Sequence, residues 1–509
     1  MKPFRRRAVV AVSVAAVLAL AGCSAPGESD SGAGDASVLS LAASPEEPTS
    51  WDPAQAGTGT AYYYQAVYDT LIRVQPDGSY IPNLATEWTY DDAKTALTMT
   101  LRDDVTFTDG STLDSAVVAA NLQRFAGEGG SDSTMLAALA SVDTPDATTV
   151  VLNLSRPDPA LIYSLSNSAG FIGSLDAIEA GTIDTDPVGS GPYVLDAAAT
   201  TVGSVYTFDR TEDYWGEDLP YDSIELQPIQ DTAARINALL SGEVNGALLS
   251  NASSGQEAEA AGFTHIPSEI DFHGIFIFDR EGADVPALGD ERVRQAMNHA
   301  IDRDLLVEQA MFGEATATDQ IWAEGTLGFN EEYEDYYDFD PDEARSLLAE
   351  AGYADGVELT MPVVSIFDNT VLTLTQQMLA DVGITVTYVD VPIADLFNAY
   401  TAGEYPSTFM QYSAGEDWVL INDYIAADAN WNPFGASTPE SDALVAEYPT
   451  ATTDRQAEIA QELNTIVVED AWFVPFYRAI QQLYIDDTVT TTPQVGEANP
   501  TLYSWAPAA

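Results

Sequence analysis

Strand-like and helix-like patterns of apolar residues alternate along the chain. Residues 223–229 have the character of a strand, and Asp231 then provides the N-cap of a helix that Gly242 ends. A second strand follows over residues 244–249. A strand, a helix and a second strand in this order are typical of a parallel sheet.

The clearest units of this kind lie in the last third of the chain. Asp290 and Asp340 predict helix starts, and Pro341 strengthens the second one because proline favours the first helical position. Beyond them we predict a strand, a helix, a strand, a helix and a strand over residues 357–364, 371–382, 384–391, 393–402 and 407–412. Ligands of open α/β sheets lie beyond the carboxyl ends of strands. The loop SAGEDW, which follows Tyr412, is therefore a candidate for ligand contact.

Residues 80–107 show a different pattern. They are typical of antiparallel strands, with turn signals at residues 76–78 and 109–110. We therefore expect a separate, more β-rich subdomain in this part of the chain.

The first 23 residues combine a basic start, a short apolar stretch over residues 8–20 and the only cysteine of the chain. This order is typical of a secretory signal peptide, and the stretch is shorter than the roughly 20 residues that span a bilayer. The ending LAGC resembles the bacterial lipobox, in which Cys23 would become the lipidated N-terminus. The alternative is a plain secretory peptide with a chance cysteine. Residues 24–37 lack large apolar side chains and fit a flexible tether.

The charge balance excludes several classes of partner. The chain has 18 Lys and Arg against 80 Asp and Glu, a net charge of −62, which disfavours nucleic acid and anionic lipid headgroups. With 46% hydrophobic residues the chain is nevertheless able to form a substantial core. Its length exceeds a single core and predicts two or three lobes. No later apolar run is long enough for a second membrane span.

Catalytic and metal-binding motifs are missing from the sequence. There is no G-x-S-x-G elbow, no P-loop and no G-x-G-x-x-G after a strand. The three histidines, His265, His273 and His299, match no zinc motif. We therefore expect a protein that is not an enzyme and has no cofactor and no bound metal.

Seven segments, in the expected order, resemble the large extracytoplasmic solute-binding proteins of ABC importers, the family of oligopeptide-, dipeptide- and nickel-binding proteins (solute-binding protein family 5). These segments are VYDTLIRVQPDGSYIPNLATEWTYDD (67–92), LTMTLRDDVTFTDGSTLDSAVVAANLQRF (97–125), GSGPYVL (189–195), YWG (214–216), RINALLSGEV (235–244), DERVRQAMNHAIDR (290–303) and DPDEARSLLAEAGY (340–353).

The resemblance implies an α/β fold of the two-lobe periplasmic-binding-protein type (type II, large class), with a hinge that the chain crosses twice and an extra β-rich subdomain. We place lobe I at residues 38–50, 190–270 and 480–509, the subdomain at 51–189 and lobe II at 271–479. A solute would bind between the lobes, and closure would exclude water from it.

The resemblance also points to candidate ligand contacts. In peptide-binding members an acidic residue of the loop corresponding to SAGEDW pairs with the α-ammonium of the ligand, and Asp417 or Glu416 stands there. Trp418, Trp431 and Phe434 could form a wall of the pocket or belong to the core. Tyr62 and Tyr63, with Tyr64, follow a glycine-containing loop near the ligand site, and strand alternation would prevent all three from facing one way.

The function implied is an extracytoplasmic receptor, anchored to the outer face of the cytoplasmic membrane through Cys23, that delivers a peptide or similar small solute to an ABC permease. An oligosaccharide receptor of the same fold is one alternative, and a nickel-chelate receptor is disfavoured by the three histidines. A secreted hydrolase is the alternative from another class.

We predict that Cys23→Ala releases the protein from the membrane into the medium, because the lipid attachment site is lost. The measurement is the distribution of the protein between membrane and medium fractions. Retention of the variant in the membrane fraction at the wild-type level would contradict the lipobox interpretation.

Overall fold

The computed structural model describes residues 38–128, 130–364, 367–413, 415–495, 497 and 499–509. The predicted signal peptide, Cys23 and the predicted tether lie outside the described residues. Within that range, no helix is long and apolar enough to cross a membrane.

Strands and helices alternate throughout the described chain. The strands are β1 (Val38–Ala42), β2 (Ile72–Val74), β3 (Tyr80–Pro82), β4 (Ala85–Tyr90), β5 (Ala96–Leu101), β6 (Leu139–Asp146), β7 (Thr149–Leu154), β8 (Tyr193–Leu195), β9 (Tyr206–Arg210), β10 (Ser223–Leu226), β11 (Gly246–Leu249), β12 (Thr264–Ile266), β13 (Glu269–Ile277), β14 (Ala315–Ala317), β15 (Val357–Val363), β16 (Ile384–Asp390), β17 (Ser407–Ser413), β18 (Phe473–Ile480), β19 (Gln482–Ile485), β20 (Val489–Thr490) and β21 (Ala506–Pro507).

The α-helices are α1 (Ala61–Val67), α2 (Ser115–Glu128), α3 (Leu161–Ser166), α4 (Leu175–Ala180), α5 (Thr232–Ser241), α6 (Ala252–Ala261), α7 (Glu291–His299), α8 (Arg303–Ala310), α9 (Pro341–Glu350), α10 (Asn369–Asp381), α11 (Ile393–Thr401), α12 (Asp417–Leu420), α13 (Pro439–Glu447) and α14 (Thr453–Glu469).

Local signals in the sequence place several helices correctly. The side chain of Asp231 caps α5, and Gly242 follows that helix with a φ of 72°. Asp290 and Asp340 cap α7 and α9 in the same way, and Pro341 is the first residue of α9. These helices form where predicted because a carboxylate satisfies backbone N–H groups that the first turn leaves without a partner.

The largest sheet contains the first strand of the described chain, β1, and the late strand β19. Its order is β12-β19-β11-β1-β10-β9-β8, and β10 and β11 flank β1 in parallel. The predicted unit of β10, α5 and β11 therefore contributes parallel strands to this sheet, as expected. A second sheet, β14-β18-β13-β17, lies in the second half of the chain.

The chain crosses between these two sheets twice. One crossing joins β12 to β13, and the other joins β18 to β19. The two crossings are adjacent, because Gln481 N donates to Ser268 O at 2.8 Å. This pair of short segments has the form of the hinge that the sequence resemblance implies.

The pairing of β17 differs from the sequence prediction. β15 and β16 pair in parallel as expected. β17, however, does not extend that pair as a third unit; it pairs antiparallel with β13, which lies more than a hundred residues earlier. An apolar strand pattern specifies a buried strand but not its partner, so the assumed repetition of the parallel unit is wrong.

The subdomain strands follow the sequence prediction more closely. A four-stranded antiparallel sheet has the order β4-β5-β7-β6, and it packs with α2 and α3 around its own apolar core. The tyrosines at 62–64 are a second correction. They lie on α1 rather than on a strand, and all three are buried. The alternation argument therefore does not apply to them.

A buried carboxylate joins the segments that surround α1. Asp69, which is 0% exposed, follows α1 directly. Oδ2 accepts hydrogen bonds from Ser190 Oγ and Trp215 Nε1, both at 2.9 Å. Oδ1 accepts from Tyr214 Oη at 2.8 Å and Tyr503 Oη at 3.2 Å. Three of the sequence motifs and the C-terminal segment therefore meet at one side chain.

Burial raises the pKa of Asp69 to about 6, although its four donors act in the opposite direction. Because the folded-state pKa lies above the ordinary value of 3.8, this group favours the folded state most at low pH. Its contribution is lost as the pH rises from about 4 through about 6.

We predict that Asp69→Ala lowers the free energy of unfolding at pH 7 by about 3 to 5 kcal/mol, because four buried donors lose their acceptor. Asp69→Asn should cost less, since the amide oxygen still accepts and the tyrosine hydroxyls can turn to accept from its NH2 group. The measurement is chemical denaturation. Asp222→Ala is the control, because Asp222 is a largely exposed partner of Arg210 and its loss should cost under about 1 kcal/mol. Equal losses for Asp69→Ala and Asp222→Ala would contradict the role of Asp69.

Candidate ligand cavity

A cavity of about 70 Å³ opens where α1, β2 and the C-terminal segment meet. The described residues that line it are predominantly polar. They include Ser44, Thr58, Tyr62, Gln65, Arg73, Asn167, Ser168, Gln494, Glu497, Asn499 and Tyr503. A small cavity with convergent polar groups is typical of a site that orients a small solute.

Arg73 and Tyr503 form one side of this cavity. The guanidinium carbon of Arg73 lies 4.9 Å from the centroid of the Tyr503 ring, a cation–π arrangement. Tyr503 is in turn held by its hydrogen bond to Asp69. The buried carboxylate of the fold therefore positions the ring against which the cavity arginine packs.

Glu497 brings a negative group to the same cavity. Burial raises its pKa to about 7, while hydrogen bonds from Tyr163 and Asn167 act in the opposite direction. The hydroxyl of Tyr163 donates to Glu497 Oε1 at 3.3 Å. No cation pairs with Glu497 among the described residues.

Glu416 does not line this cavity, but its charge acts on two tyrosines that Glu497 also influences. It is the N-cap of α12, and its Oε2 accepts from Val419 N at 2.9 Å. Burial, followed by repulsion from Asp417 and Asp158, raises its pKa to about 8. Glu416 in turn contributes to the raised pKa values of Tyr80 and Tyr163, which also sense Glu497. The two glutamates therefore act on the same pair of tyrosines.

Two hydrogen bonds join segments that are distant along the chain. Lys94 Nζ, in the turn between β4 and β5, donates to Ala451 O at 2.5 Å. Near the crossings, Ser268 Oγ donates to Glu497 O at 3.3 Å. The contact between Lys94 and Ala451 therefore joins the subdomain to the second half of the chain.

The structure places Asp417 in an internal network. Its side chain is 6% exposed, and its carboxylate accepts from Trp322 Nε1 at 3.0 Å and from Leu327 N and Gly328 N, both at 2.9 Å. These bonds fasten α12 to the loop 322–328. The neighbouring Glu416, rather than Asp417, contributes to the raised pKa values of the subdomain tyrosines Tyr80 and Tyr163.

The predicted aromatic residues are not gathered at the cavity. Tyr62 lines it, and its hydroxyl accepts from Trp505 Nε1 at 3.4 Å. Tyr63 packs against Trp51, Tyr206 and Phe208 instead.

The other three predicted aromatic side chains belong to the second half of the chain. Trp418 stacks on Tyr448, with 5.4 Å between the ring centroids. Trp431 is buried against Tyr400 and Tyr424, and Phe434 packs on the same core. None of the three lines the cavity described above.

Sequence reasoning missed Arg73, Glu497 and Asn499. Arg73 lies within the motif VYDTLIRV, which identified the fold but not a contact. The scarcity of basic residues in so acidic a chain was the one signal that could have drawn attention to it. Glu497 and Asn499 reach the cavity only through the fold of the C-terminal segment, and nothing local in the sequence marks them.

One group of residues has the composition of a metal site. Glu259, His265 and Glu314 each place a possible ligand atom within 4.8 Å of the others. His265 Nε2 lies 2.8 Å from Gln481 O, and its Nδ1 lies 3.7 Å from Glu314 Oε2. This group lies beside the crossings and shares no residue with the lining of the cavity.

Comparison with known proteins agrees with this architecture. The family model "Bacterial extracellular solute-binding proteins, family 5 Middle" matches residues 79–430. The glutathione-binding protein GsiB of Salmonella paratyphi A is 28% identical over 456 residues, which cover 84% of this chain and 86% of that protein.

Two solved structures have the same fold. HbpA2 from Haemophilus parasuis superposes with a TM-score of 0.81 at 20% identity, covering 93% of this chain and 100% of that one. The periplasmic binding protein DppA from Helicobacter pylori, in complex with the peptide STSA, superposes with a TM-score of 0.74 at 20% identity, covering 93% and 98%. The predicted two-lobe α/β fold is confirmed. The chain therefore belongs to family 5 of the bacterial extracellular solute-binding proteins and is a solute receptor.

Proposed function

We propose that this protein binds a short peptide between its lobes and delivers it to an ABC permease without chemical conversion. The observation that carries the proposal is the carboxylate of Glu497, which lines the polar cavity and pairs with no cation among the described residues. Glu416 acts on the same two tyrosines as Glu497. A buried carboxylate needs a compensating cation. The α-ammonium group of a peptide supplies one.

The comparisons support the same solute class. GsiB is named for glutathione, which is itself a tripeptide, and DppA holds a tetrapeptide. The oligosaccharide alternative relied on an aromatic wall. Trp418, Trp431 and Phe434 pack against other side chains of the second half of the chain, which removes that support.

Three further features remain proposals. We propose that Cys23 carries the membrane anchor, that the hinge lies at the two crossings near residues 267 and 481, and that lobe I, the subdomain and lobe II have the boundaries predicted from the sequence. For the ammonium contact, the hydrogen-bond geometry favours Glu416 over Asp417, because the Asp417 carboxylate is already occupied by three donors.

We predict that short peptides raise the melting temperature of the mature protein, because a ligand that binds only the folded state adds RT ln(1 + [L]/Kd). This term is about 2.7 kcal/mol at a hundredfold excess over Kd. The assay compares glutathione, STSA and a dipeptide mixture with oligosaccharide and nickel-chelate panels, and mass spectrometry checks that the solute is recovered unchanged. Stabilisation by sugars alone, or conversion of the peptide to product, would overturn the proposal.

We predict that substitutions at two neighbouring residues change different properties: the affinity for the ligand at Glu416 and the folding stability at Asp417. Glu416→Gln keeps the N-cap acceptor but removes the charge, so it should weaken binding of a free-amino peptide about 10- to 100-fold. It should have little effect on the N-acetylated peptide. Asp417→Asn keeps one acceptor oxygen but places its NH2 group against at least one of the three donors, such as Leu327 N, and should lower the free energy of unfolding by about 1 to 3 kcal/mol.

The pH dependence provides a check that needs no ligand. Because the pKa of Glu416 is raised from 4.5 to about 8 in the folded protein, unfolding free energy is lost as the pH rises between these values. Glu416→Gln should reduce that loss. Denaturation at pH 5 and pH 8.5 measures this pH dependence without a ligand. Isothermal titration with peptide measures the affinity separately. An unchanged pH dependence together with unchanged affinity would show that Glu416 does not face the ligand.

A further inference from the structure

His265 lies close to two carboxylates beside the crossings. Its ring stacks on Tyr484 of the neighbouring strand β19, with 4.7 Å between the ring centroids and 9° between the planes. Glu259, in α6, and Glu314, directly before β14, each place an oxygen within 4.8 Å of the other and of a ring nitrogen of His265. The sequence-based expectation of no bound metal rested on the spacing of the histidines, which cannot reveal a group that three separate elements bring together.

A hydrogen bond to the backbone determines which ring nitrogen of His265 can bind a cation. Nε2 lies 2.8 Å from Gln481 O, and a carbonyl oxygen only accepts, so Nε2 carries the hydrogen. In the neutral ring the lone pair is then on Nδ1, which lies 3.7 Å from Glu314 Oε2. Two acceptors that face each other require a cation between them. Histidines that bind metals commonly donate their other N–H to a backbone carbonyl in this way.

The charge balance favours a divalent metal ion over a proton on Nδ1. Neither glutamate forms an ion pair with Lys or Arg among the described residues. Burial, followed by repulsion from Glu259 and Glu314, raises the pKa of Tyr484, so both negative charges act at the same ring. A proton would neutralise one of the two charges, whereas a divalent ion neutralises both. The net charge of −62 adds to the attraction of a cation to this place.

We propose that Glu259, His265 and Glu314 bind a zinc ion through Nδ1 of the histidine and one oxygen of each glutamate, with water as the fourth ligand. Zinc binds nitrogen and oxygen ligands at about 2.0 to 2.2 Å in a tetrahedral arrangement, so the ligand atoms of such a site lie about 3.3 Å apart. The 3.7 Å between Nδ1 and Oε2 is already close to this value. The ring nitrogen favours zinc over calcium and magnesium, which prefer oxygen ligands.

The zinc ion would join two sheets across the crossing at Gln481. His265 belongs to the seven-stranded sheet through β12, whereas Glu314 leads into β14 of the four-stranded sheet. Backbone groups of the crossing contact both residues, since Gln481 O accepts from His265 and Ile480 N donates to Glu314 O at 3.2 Å. An ion bound to both side chains adds a link at the proposed hinge and opposes movement there. The site shares no residue with the cavity lining and does not depend on the proposed peptide binding.

The test measures zinc binding by the purified mature protein after removal of metals with a chelator. Isothermal titration with zinc chloride gives the affinity, and elemental analysis after dialysis gives the stoichiometry. Both are carried out in millimolar magnesium and calcium, because these ions occupy non-specific sites on so acidic a surface. The variants Glu259→Gln, His265→Gln and Glu314→Gln each remove one proposed ligand.

Two matched controls lie outside the group. Glu257→Gln removes the same charge from the same helix as Glu259→Gln, and both glutamates are exposed. His299→Gln removes a histidine whose Nδ1 also lies 2.8 Å from a backbone carbonyl oxygen, that of Asp338. Because Glu259 is exposed, Glu259→Gln should fold normally, so the comparison with Glu257→Gln remains informative even if the other two variants fold poorly.

We expect the wild type to bind one equivalent of zinc. Loss of an outer partner of a metal ligand typically weakens binding about 10- to 100-fold, so loss of a ligand should weaken it by at least that factor in all three variants. Both controls should bind zinc as the wild type does. Zinc should also slow hydrogen exchange around residue 265 and around residue 314 together, because one ion joins the two segments.

Three results would overturn the site or the link. Without one-equivalent binding in the wild type, Nδ1 carries a proton and the group is only an ion pair. Equal losses for Glu259→Gln and Glu257→Gln, or no loss in either, would show adventitious binding to the acidic surface. Slower exchange in one segment alone would contradict the link across the crossing. None of these results affects peptide binding, which the thermal assay with peptides measures separately.

Discussion

The buried carboxylate of Asp69 is the constraint on which the ligand side of this structure depends. A carboxylate without a nearby cation is stable in the interior only when its lone pairs are occupied. Here four neutral donors occupy them, and they come from segments that are far apart in the sequence. Satisfying Asp69 therefore fixes the end of α1, the segment around Ser190 and the C-terminal Tyr503 relative to one another. Of these segments, α1 with Tyr68 and the C-terminal segment with Tyr503 also line the cavity.

The acidity of the chain adds a second constraint. Basic residues are few, and buried arginines join segments of the fold. Arg478 joins Glu269, Glu334 and Thr318 near the crossings, and Arg303 pairs with Asp319. Acidic groups far outnumber these partners, so the cleft contains carboxylates whose pKa values burial raises. In the proposed receptor, a cationic solute would favour closure because it compensates these carboxylates.

The sequence predicted those features that local chemistry determines. Capped helices such as α5 and α9 form where an Asp N-cap and a helix-ending Gly indicate them, and β15 and β16 pair in parallel as their spacing implies. Features that depend on distant partners were not predictable. The partner of β17 lies in another part of the chain, and the engagement of Asp417 depends on the loop 322–328, which no periodicity relates to it.

The contrast between Glu416 and Asp417 shows how adjacent carboxylates acquire different roles. Three donors hold Asp417 and thereby fix the start of α12. The neighbouring carboxylate of Glu416 caps the same helix through Val419 N, and burial raises its pKa to about 8. A charge that is stabilised inside one lobe does not respond to closure, whereas one that closure desolvates does. In the proposed receptor, Asp417 therefore maintains the loop while Glu416 couples the charge of the solute to the position of the lobes.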